Sequence, residues 1–297
     1  MKTKTSDYAQ ARYDEVASDY DRLWSRHMEA PQARLTAGLQ LSAGERLADI
    51  ACGTGVITLE MARQSRPGEV VAVDYSENML AEAARRLDSE GIVPRLVHAP
   101  AEHFVDDTAP QSFDVISCRF ALAYVDWRSM LPRIGPLLRP GGRVGIVNAT
   151  SGSIPQAFRA YEDLRDSPRT VWKLMQHFGK DVGRAWALYR SLRQTFGTTR
   201  FITVPDGPEQ VAALLEQGGL RRREAWSETV RLWFASGHDG IAWLEESGYA
   251  THPGLEHVPE KGLRFLREVF AAGLEGFRER QGVPLDIVIS GVIAARD

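Results

Sequence analysis

Two carboxylates and a pair of glycines form the pattern in this chain that could do chemistry. Asp49 lies in an apolar run that ends in the turn Cys52-Gly53-Thr54-Gly55, and Asp74 ends the next apolar run. A strand that turns on glycine into a helix directs bare backbone N–H groups at one point. A carboxylate at the end of the second strand can accept hydrogen bonds from both hydroxyls of a ribose. We therefore expect a nucleotide-like ligand at this turn.

The spacing of the glycines helps to identify the class of the expected nucleotide-like ligand. Nicotinamide-binding folds carry the pattern G-x-G-x-x-G, whose third glycine lets the helix pack closely on the strand. After Gly53 and Gly55 this chain has Thr58 in the third position. The missing glycine argues against a nicotinamide-dependent oxidoreductase, which remains the alternative hypothesis.

Four motifs resemble, in the same order, those of class I S-adenosylmethionine (SAM)-dependent methyltransferases. The closest likeness is to the small-molecule group that includes the ubiquinone and menaquinone biosynthesis enzymes. The resemblance implies SAM as cofactor and methyl transfer to a small, rather apolar metabolite through a carbon, oxygen or nitrogen acceptor. A SAM-binding protein of this fold with a non-methylating role is a second alternative. The motifs are Asp49-Ile50-Ala51-Cys52-Gly53-Thr54-Gly55, Asp74-Tyr75-Ser76-Glu77-Asn78-Met79-Leu80, Phe113-Asp114-Val115-Ile116-Ser117-Cys118 and Leu138-Arg139-Pro140-Gly141-Gly142.

The same resemblance implies a set of cofactor contacts. Asp49 would hold the amino end of SAM, directly or through water, and Asp74 would hold the ribose hydroxyls. The Cys118 carbonyl could also reach the amine, while its thiol is expected to be a small buried hydrophobe. The predicted cofactor-binding residues are Tyr20, Asp49, Ala51, Gly53, Gly55, Asp74, Tyr75, Met79, Ala101, Glu102 and Cys118.

The adenine contacts depart from the family's pattern. Where the family commonly has Gly-Asp-Ala-Glu, this chain has Ala99-Pro100-Ala101-Glu102, and proline supplies neither a carboxylate nor a backbone N–H. We expect adenine to use the Ala101 N–H, with Glu102 or a water at its amino group. Tyr75 and Met79 would lie against the ring.

An aromatic stripe marks the N-terminal segment, which is predicted to be helical. Tyr13, Tyr20 and Trp24 fall on one face of such a helix. The spacing fits a helix docked on the core, whereas the resemblance implies a lid over the cofactor with Tyr20 near its sulfonium or carboxylate. Asp21 is expected to be solvated.

Three residues are candidates for a role in the transfer itself. Tyr20 is one of them. Arg119, in a stretch after the fourth strand that should face the methyl group, is either a surface ion-pair residue or an anchor for an anionic acceptor. His177 could act as a base near neutral pH, or it is solvated or structural.

Alternating strands and helices predict an α/β fold. With the resemblance, this is a Rossmann-like, doubly wound, seven-stranded and mostly parallel sheet with an antiparallel last strand and helical lid insertions. The continuous apolar run 287–294 suits that buried last strand. We predict one methyltransferase domain over 1–297, with an N-terminal helical lid (8–42), a SAM-binding core (45–148), helical acceptor-pocket insertions (151–200 and 238–281) and segments that complete the sheet (201–237 and 283–297).

The composition of the chain indicates which partners, which cell compartment and which metal sites are expected. The chain has 297 residues and a net charge of −3, which gives no electrostatic reason to expect a nucleic acid or an anionic membrane as partner. Two cysteines and the absence of a signal-peptide pattern favour the cytoplasm. Seven histidines show no metal-ligand spacing, so no metal is expected. The expected partner is a small-molecule acceptor, and the oligomeric state is left open.

Overall fold

The computed structural model describes residues 13–15, 17–66, 68–166, 183, 186, 190, 204–247 and 260–297. The strands in these residues form a seven-stranded sheet in the order β3-β2-β1-β4-β5-β7-β6. β3, β2, β1, β4 and β5 run parallel, and β7 is antiparallel to β5. This confirms the predicted fold class. The strands are β1 (Arg46–Ile50), β2 (Glu69–Asp74), β3 (Arg95–His98), β4 (Phe113–Arg119), β5 (Leu138–Ala149), β6 (Arg221–Phe234) and β7 (Val283–Ala295).

Helices separate the parallel strands, as repeated β-α units require. They are α1 (Tyr20–Leu23), α2 (Glu29–Gly38), α3 (Val56–Ser65), α4 (Glu77–Asp88), α5 (Ala101–Asp107), α6 (Trp127–Met130), α7 (Pro155–Asp166), α8 (Pro208–Gln217), α9 (Gly237–Glu246) and α10 (Glu260–Glu275). Short 3₁₀ turns lie at Ser25–His27, Leu131–Arg133 and Gly135–Leu137. Among the helices described, none is long and apolar enough to span a membrane.

The chain divides into two compact units. The first comprises 1–151, 203–230 and 288–297, and the second comprises 152–202 and 231–287. The predicted acceptor-pocket insertions fall largely in the second unit and partly outside the described residues, so their role stays a prediction.

The first unit is organised around the central strands, which are apolar on both faces. Ile50, Val71, Ile116 and Val144 have no exposed surface, and they belong to one hydrophobic cluster with side chains of α5 and α8. Burial on both faces explains why these strands are continuous apolar runs rather than alternating ones.

The structure differs from the local pattern in two places. The spacing of Leu131, Ile134, Leu137 and Leu138 predicts one helix, but the structure has 3₁₀ turns over 131–137, since Pro132 and Pro136 lack the N–H donors of a regular helix. The pattern also predicts that residues 139–142 break that helix and that the fifth strand begins at 143, yet 139–142 lie within β5. A bulge between the pairs Phe113–Leu138 and Val115–Arg143 accommodates them, with Gly141 at φ +77°.

The second unit has its own polar centre. The Asp286 carboxylate accepts hydrogen bonds from Arg231 Nε at 2.6 Å and Nη2 at 2.9 Å, and from Gln156 Nε2 at 2.8 Å. α7 and α10 approach closely where Gly273 faces Ala160, because a Cβ at Gly273 would lie 2.8 Å from the Ala160 Cβ. These contacts join α7, α10 and the ends of two strands within this unit.

Candidate active site

The turn after β1 is bonded to the loop after β2 through one carboxylate. Asp74 Oδ2 accepts the Gly53 N–H at 2.8 Å, and Asp74 Oδ1 accepts the Ser76 N–H at 2.9 Å. Burial raises the pKa of Asp74 above its ordinary value, against the lowering effect of these backbone hydrogen bonds. Each oxygen keeps acceptor capacity beyond the bond it already accepts. The arrangement therefore fits a carboxylate that takes ribose hydroxyls.

The two glycines of the turn have different surroundings. Both have left-handed backbone, with φ +54° at Gly53 and +75° at Gly55. A Cβ at Gly55 would lie 2.8 Å from the Ala83 Cβ on α4, whereas a Cβ at Gly53 would meet nothing within 4 Å. Gly55 thus serves the packing of the turn on α4. Gly53 leaves open space that a ligand could use, and this fits the expected cofactor.

Asp49 and Arg119 form a buried charged centre below the turn. Asp49 is 2% exposed and accepts the Thr58 hydroxyl at 2.6 Å. Burial raises the pKa of Asp49, while the Arg119 charge and the hydroxyls of Thr58 and Ser117 oppose that shift. An amino group brought to this carboxylate would gain a partner that is already held in place.

Arg119 was predicted to be either a surface ion-pair residue or an anchor for an anionic acceptor. The first of these predictions is wrong, because Arg119 is buried. It is 7% exposed because its guanidinium is drawn into the protein beneath α2. Its Nε donates to Ser117 Oγ at 2.8 Å, its Nη1 to the Gln32 carbonyl at 3.2 Å and Thr36 Oγ1 at 3.0 Å, and its Nη2 to Met61 Sδ at 3.2 Å. Burial lowers the pKa of Arg119 to about 10, so it stays charged at neutral pH.

A small pocket lies between the turn and the N-terminal segment. This segment comprises the described residues 13–15 and 17–38. The volume of the pocket is about 50 Å³, well below the roughly 300 Å³ at which pockets for drug-sized ligands begin. Aromatic side chains close it, with the Trp24 and Phe120 rings edge to face at 5.4 Å. Phe120 has φ +53°, which is rare for a bulky residue. The lining residues are Tyr20, Trp24, Ser25, Gln32, Asp49, Ala51, Cys52, Gly53, Thr54, Val56, Ile57, Arg119 and Phe120.

The N-terminal segment is held by polar contacts as well. The prediction that Asp21 is solvated was wrong, since its carboxylate accepts hydrogen bonds from Thr54 Oγ1 and Arg86 Nη2, each at 2.6 Å. The Tyr13 hydroxyl donates to that of Tyr124 at 2.7 Å. These contacts join the segment to the turn, to α4 and to the loop after β4.

The residues predicted near adenine lie around the carboxyl ends of β2 and β3. The Tyr75 ring stacks on that of His98, with centroids 6.3 Å apart. Met79 is buried and donates its N–H to Ser76 Oγ at 3.1 Å. Ala101 begins α5, and Glu102 Oε1 accepts the Asp126 N–H at 2.7 Å. That bond would leave Glu102 with one carboxylate oxygen for an adenine amine.

Few groups here could take a proton at neutral pH. Burial raises the pKa of the Cys118 thiol to about 12. Burial, together with Tyr124, Asp74 and Asp21, also raises the pKa of Tyr20. Tyr20 can therefore donate a hydrogen bond but not act as a base, and Cys118 is no thiolate. The other candidate base, His177, lies outside the described residues.

The structure brings part of the predicted set together. The pocket beside the glycine turn is lined by Tyr20, Asp49, Ala51, Gly53 and Arg119. Asp74 is not in this lining but accepts the N–H of Gly53, which is. The lining does not include the other predicted residues, which are Gly55, Tyr75, Met79, Ala101, Glu102 and Cys118.

Sequence reasoning missed the supporting residues Thr54, Thr58, Ser117 and Arg86. Thr54 stands inside the glycine motif, which was a usable signal. The others are ordinary helix and strand residues whose roles arise only from the tertiary fold. No group of three or more His, Cys, Asp or Glu that could hold a metal ion occurs within the part of the chain that the structure describes.

Comparison with known proteins identifies a family and a fold that this chain resembles. Residues 47–142 match the family described as "Methyltransferase domain". A demethylmenaquinone methyltransferase of Lactobacillus johnsonii is 28% identical over 62% of this chain and 70% of its own length. One from Clavibacter sepedonicus is 35% identical over 51% of this chain and 62% of its own length. The crystal structure of the [4+2]-cyclase SpnF covers 100% of this chain and 98% of its own, with a TM-score of 0.57 at 15% identity, a likeness of fold alone.

These findings define the class of protein. The chain carries a methyltransferase domain and is an enzyme, a SAM-dependent small-molecule methyltransferase of the class I type that resembles the menaquinone group. The comparisons give no support to the nicotinamide alternative.

Proposed function

We propose that this methyltransferase acts on a small acceptor that is uncharged and largely apolar at the reacting end. The carrying observation is that Arg119, the cation in the pocket wall, has its guanidinium committed to four protein partners. Of the five guanidinium N–H groups, these bonds leave one, on Nη2, for an anionic acceptor. A paired, two-pronged contact with an anion would displace at least one protein partner, and each buried group left unpaired costs about 1–3 kcal/mol.

The remaining wall supports the same acceptor class. Trp24, Phe120 and Ile57 offer aromatic and aliphatic surface beside the glycine turn. Flat rings pack well against such edge-to-face aromatic pairs. The two relatives are named for methylation of demethylmenaquinone, and a quinone-type ring is the acceptor that we propose to test first.

The residues take the following proposed roles. SAM supplies an electrophilic methyl group on a sulfonium, and the protein supplies position and electrostatics. Asp49, whose charged form the neighbouring Arg119 favours, holds the amino group, and Asp74 holds the ribose. Gly53 leaves the space in which the cofactor approaches the backbone. Tyr20, protonated at neutral pH, closes the pocket and excludes water.

The test is turnover with SAM labelled in its methyl group. The reduced, uncharged form of a 2-alkyl-1,4-naphthoquinone is the neutral acceptor, and the same naphthoquinol carrying a sulfonate on its second ring is the matched anionic acceptor. We expect label transfer and formation of S-adenosylhomocysteine (SAH) with the neutral naphthoquinol only. Equal transfer to the sulfonated naphthoquinol would overturn the proposed acceptor class.

Calorimetric titration with SAH and with NADH separates the alternatives. We expect SAH to bind and NADH not to bind. SAH binding without any methyl transfer across a broad acceptor panel would favour the non-methylating alternative, and tight NADH binding would favour the oxidoreductase.

A further inference from the structure

The N-terminal segment is tied to the glycine turn by one carboxylate. Asp21 Oδ1 accepts from Thr54 Oγ1 at 2.6 Å and from Ser25 Oγ at 3.1 Å, while Asp21 Oδ2 accepts from Arg86 Nη2 at 2.6 Å. Arg86 Nη1 also donates to Thr54 Oγ1 at 3.3 Å. Each of the side chains of Asp21, Thr54 and Arg86 thus contacts the other two, and together they connect α1, the turn and α4.

A second tie lies at the other motif. The Ser76 hydroxyl donates to the Asp14 carboxylate, and Asn78 Nδ2 donates to the Asp14 carbonyl at 3.0 Å. Ser76 also donates its backbone N–H to Asp74. The N-terminal segment is therefore fastened to both loops that would hold the cofactor.

This fastening has a consequence for ligand exchange. The pocket beneath the segment measures about 50 Å³, which is too small for a molecule the size of SAM, because sites for such ligands measure roughly 300–1,000 Å³. The segment must move before SAM can bind. The Asp21–Arg86 pair is partly open to solvent, since its side chains are 33% and 26% exposed, so water can replace its hydrogen bonds when the segment moves.

We infer that Asp21, Thr54 and Arg86 are a latch that holds the N-terminal segment over the glycine turn and sets the rate of cofactor exchange. The three are positioning residues, since they act through the segment and the turn rather than on the reacting atoms. The inference rests on the proposed function in taking SAM and SAH as the exchanging ligands.

A latch and a simple binding contact give different kinetics. The latch is taken to re-form over the bound cofactor once the segment has moved to admit it, so that it closes both the free protein and the complex. Weakening it then populates the open state of each, so both the association and the dissociation rate rise and Kd changes little. Losing a binding contact raises the dissociation rate alone and weakens Kd by the same factor.

The experiment measures SAH association and dissociation by stopped-flow tryptophan fluorescence, with Trp24 in the pocket wall as the reporter. We expect Asp21→Asn and Arg86→Gln each to raise both rates on the order of fivefold, as befits one weak, partly exposed ion pair. The double variant should be no faster than the faster single variant, since both break one latch.

Two neighbouring ion pairs provide matched controls. Asp19 pairs with Arg22 at 3.1 Å within the N-terminal segment, and Arg85 pairs with Glu82 on α4. Asp19→Asn and Arg85→Gln remove similar charges on the same elements without touching Thr54, and their rates should match the wild type.

Hydrogen exchange of the ligand-free protein tests the latch independently of SAH. Peptides within 17–38 should exchange faster in Asp21→Asn than in wild type and in Asp19→Asn. Unchanged exchange together with unchanged rates, or a faster dissociation with an unchanged association rate, would overturn the latch. If wild type fails to bind SAH, the proposed function fails, while the exchange comparison still decides whether Asp21 holds the segment.

Discussion

Replacing each glycine of the turn by alanine should separate a ligand-contact role from a packing role. Both replacements place an L-residue in left-handed backbone, which costs about 1–2 kcal/mol. For Gly53 that is the whole expected loss, since a Cβ there meets nothing within 4 Å. For Gly55 the new Cβ also lies 2.8 Å from the Ala83 Cβ, which adds about 1–3 kcal/mol of overpacking.

The loss of SAH affinity should rank the two variants in the opposite order to the loss of stability. Gly53→Ala fills the space proposed for the cofactor, so SAH affinity should fall on the order of tenfold or more, about 1.4 kcal/mol or more. Gly55→Ala, when folded, should bind SAH nearly as well as wild type.

Urea unfolding followed by circular dichroism gives the stability of each variant, and titration calorimetry gives its affinity for SAH. Equal stability of the two single variants would refute the packing argument. Unchanged SAH affinity in Gly53→Ala would refute the contact argument.

Three further results are expected. Asp74→Ala should weaken SAH binding on the order of tenfold, since it removes charge-assisted hydrogen bonds worth about 1.5–3 kcal/mol. The control Asp88→Ala, on the exposed surface of α4, should leave SAH affinity unchanged. Equal SAH affinity in the two variants would remove Asp74 from the site. Because burial raises the pKa of Asp74, SAH affinity should fall on acidification from a higher pH than for an ordinary aspartate, and Asp74→Asn should reduce this dependence to the part contributed by Asp49, whose pKa burial also raises. Cys118→Ala should retain turnover, since a thiol with a pKa of about 12 is protonated at neutral pH, and iodoacetamide should leave Cys118 unmodified in the native protein.

The sequence-based predictions succeeded where local pattern and burial agree. The apolar run 70–73 between polar ends predicts a strand over 69–74 that is buried on both faces, and the structure has β2 at Glu69–Asp74. Proline in Asp206-Gly207-Pro208-Glu209 predicts a helix start and Gly218-Gly219 a helix end, and α8 spans Pro208–Gln217.

Predictions were wrong where the fold overrides local preference. The sequence offered no partner for Asp21, whereas Thr54 and Arg86 reach it only after the turn and α4 have assembled. Arg119 likewise has four partners on β4, α2 and α3 that no spacing reveals. The left-handed backbone of Phe120 is equally invisible, since bulky residues rarely adopt it.

The position of β7 in the sheet has a consequence for how the chain is made. β7 is the last strand of the described residues to leave the ribosome, yet it lies between β5 and β6. Until it arrives, β5 presents an unpaired apolar edge, which is a template for aggregation. Gly291 of β7 must also fit beneath the Trp226 ring of β6, since a Cβ there would lie 2.1 Å from Trp226 Cζ2. The nascent chain therefore carries an exposed apolar edge from the completion of β5 at Ala149 until β7 (Val283–Ala295) has been made, and this is the stage at which chaperones would bind it.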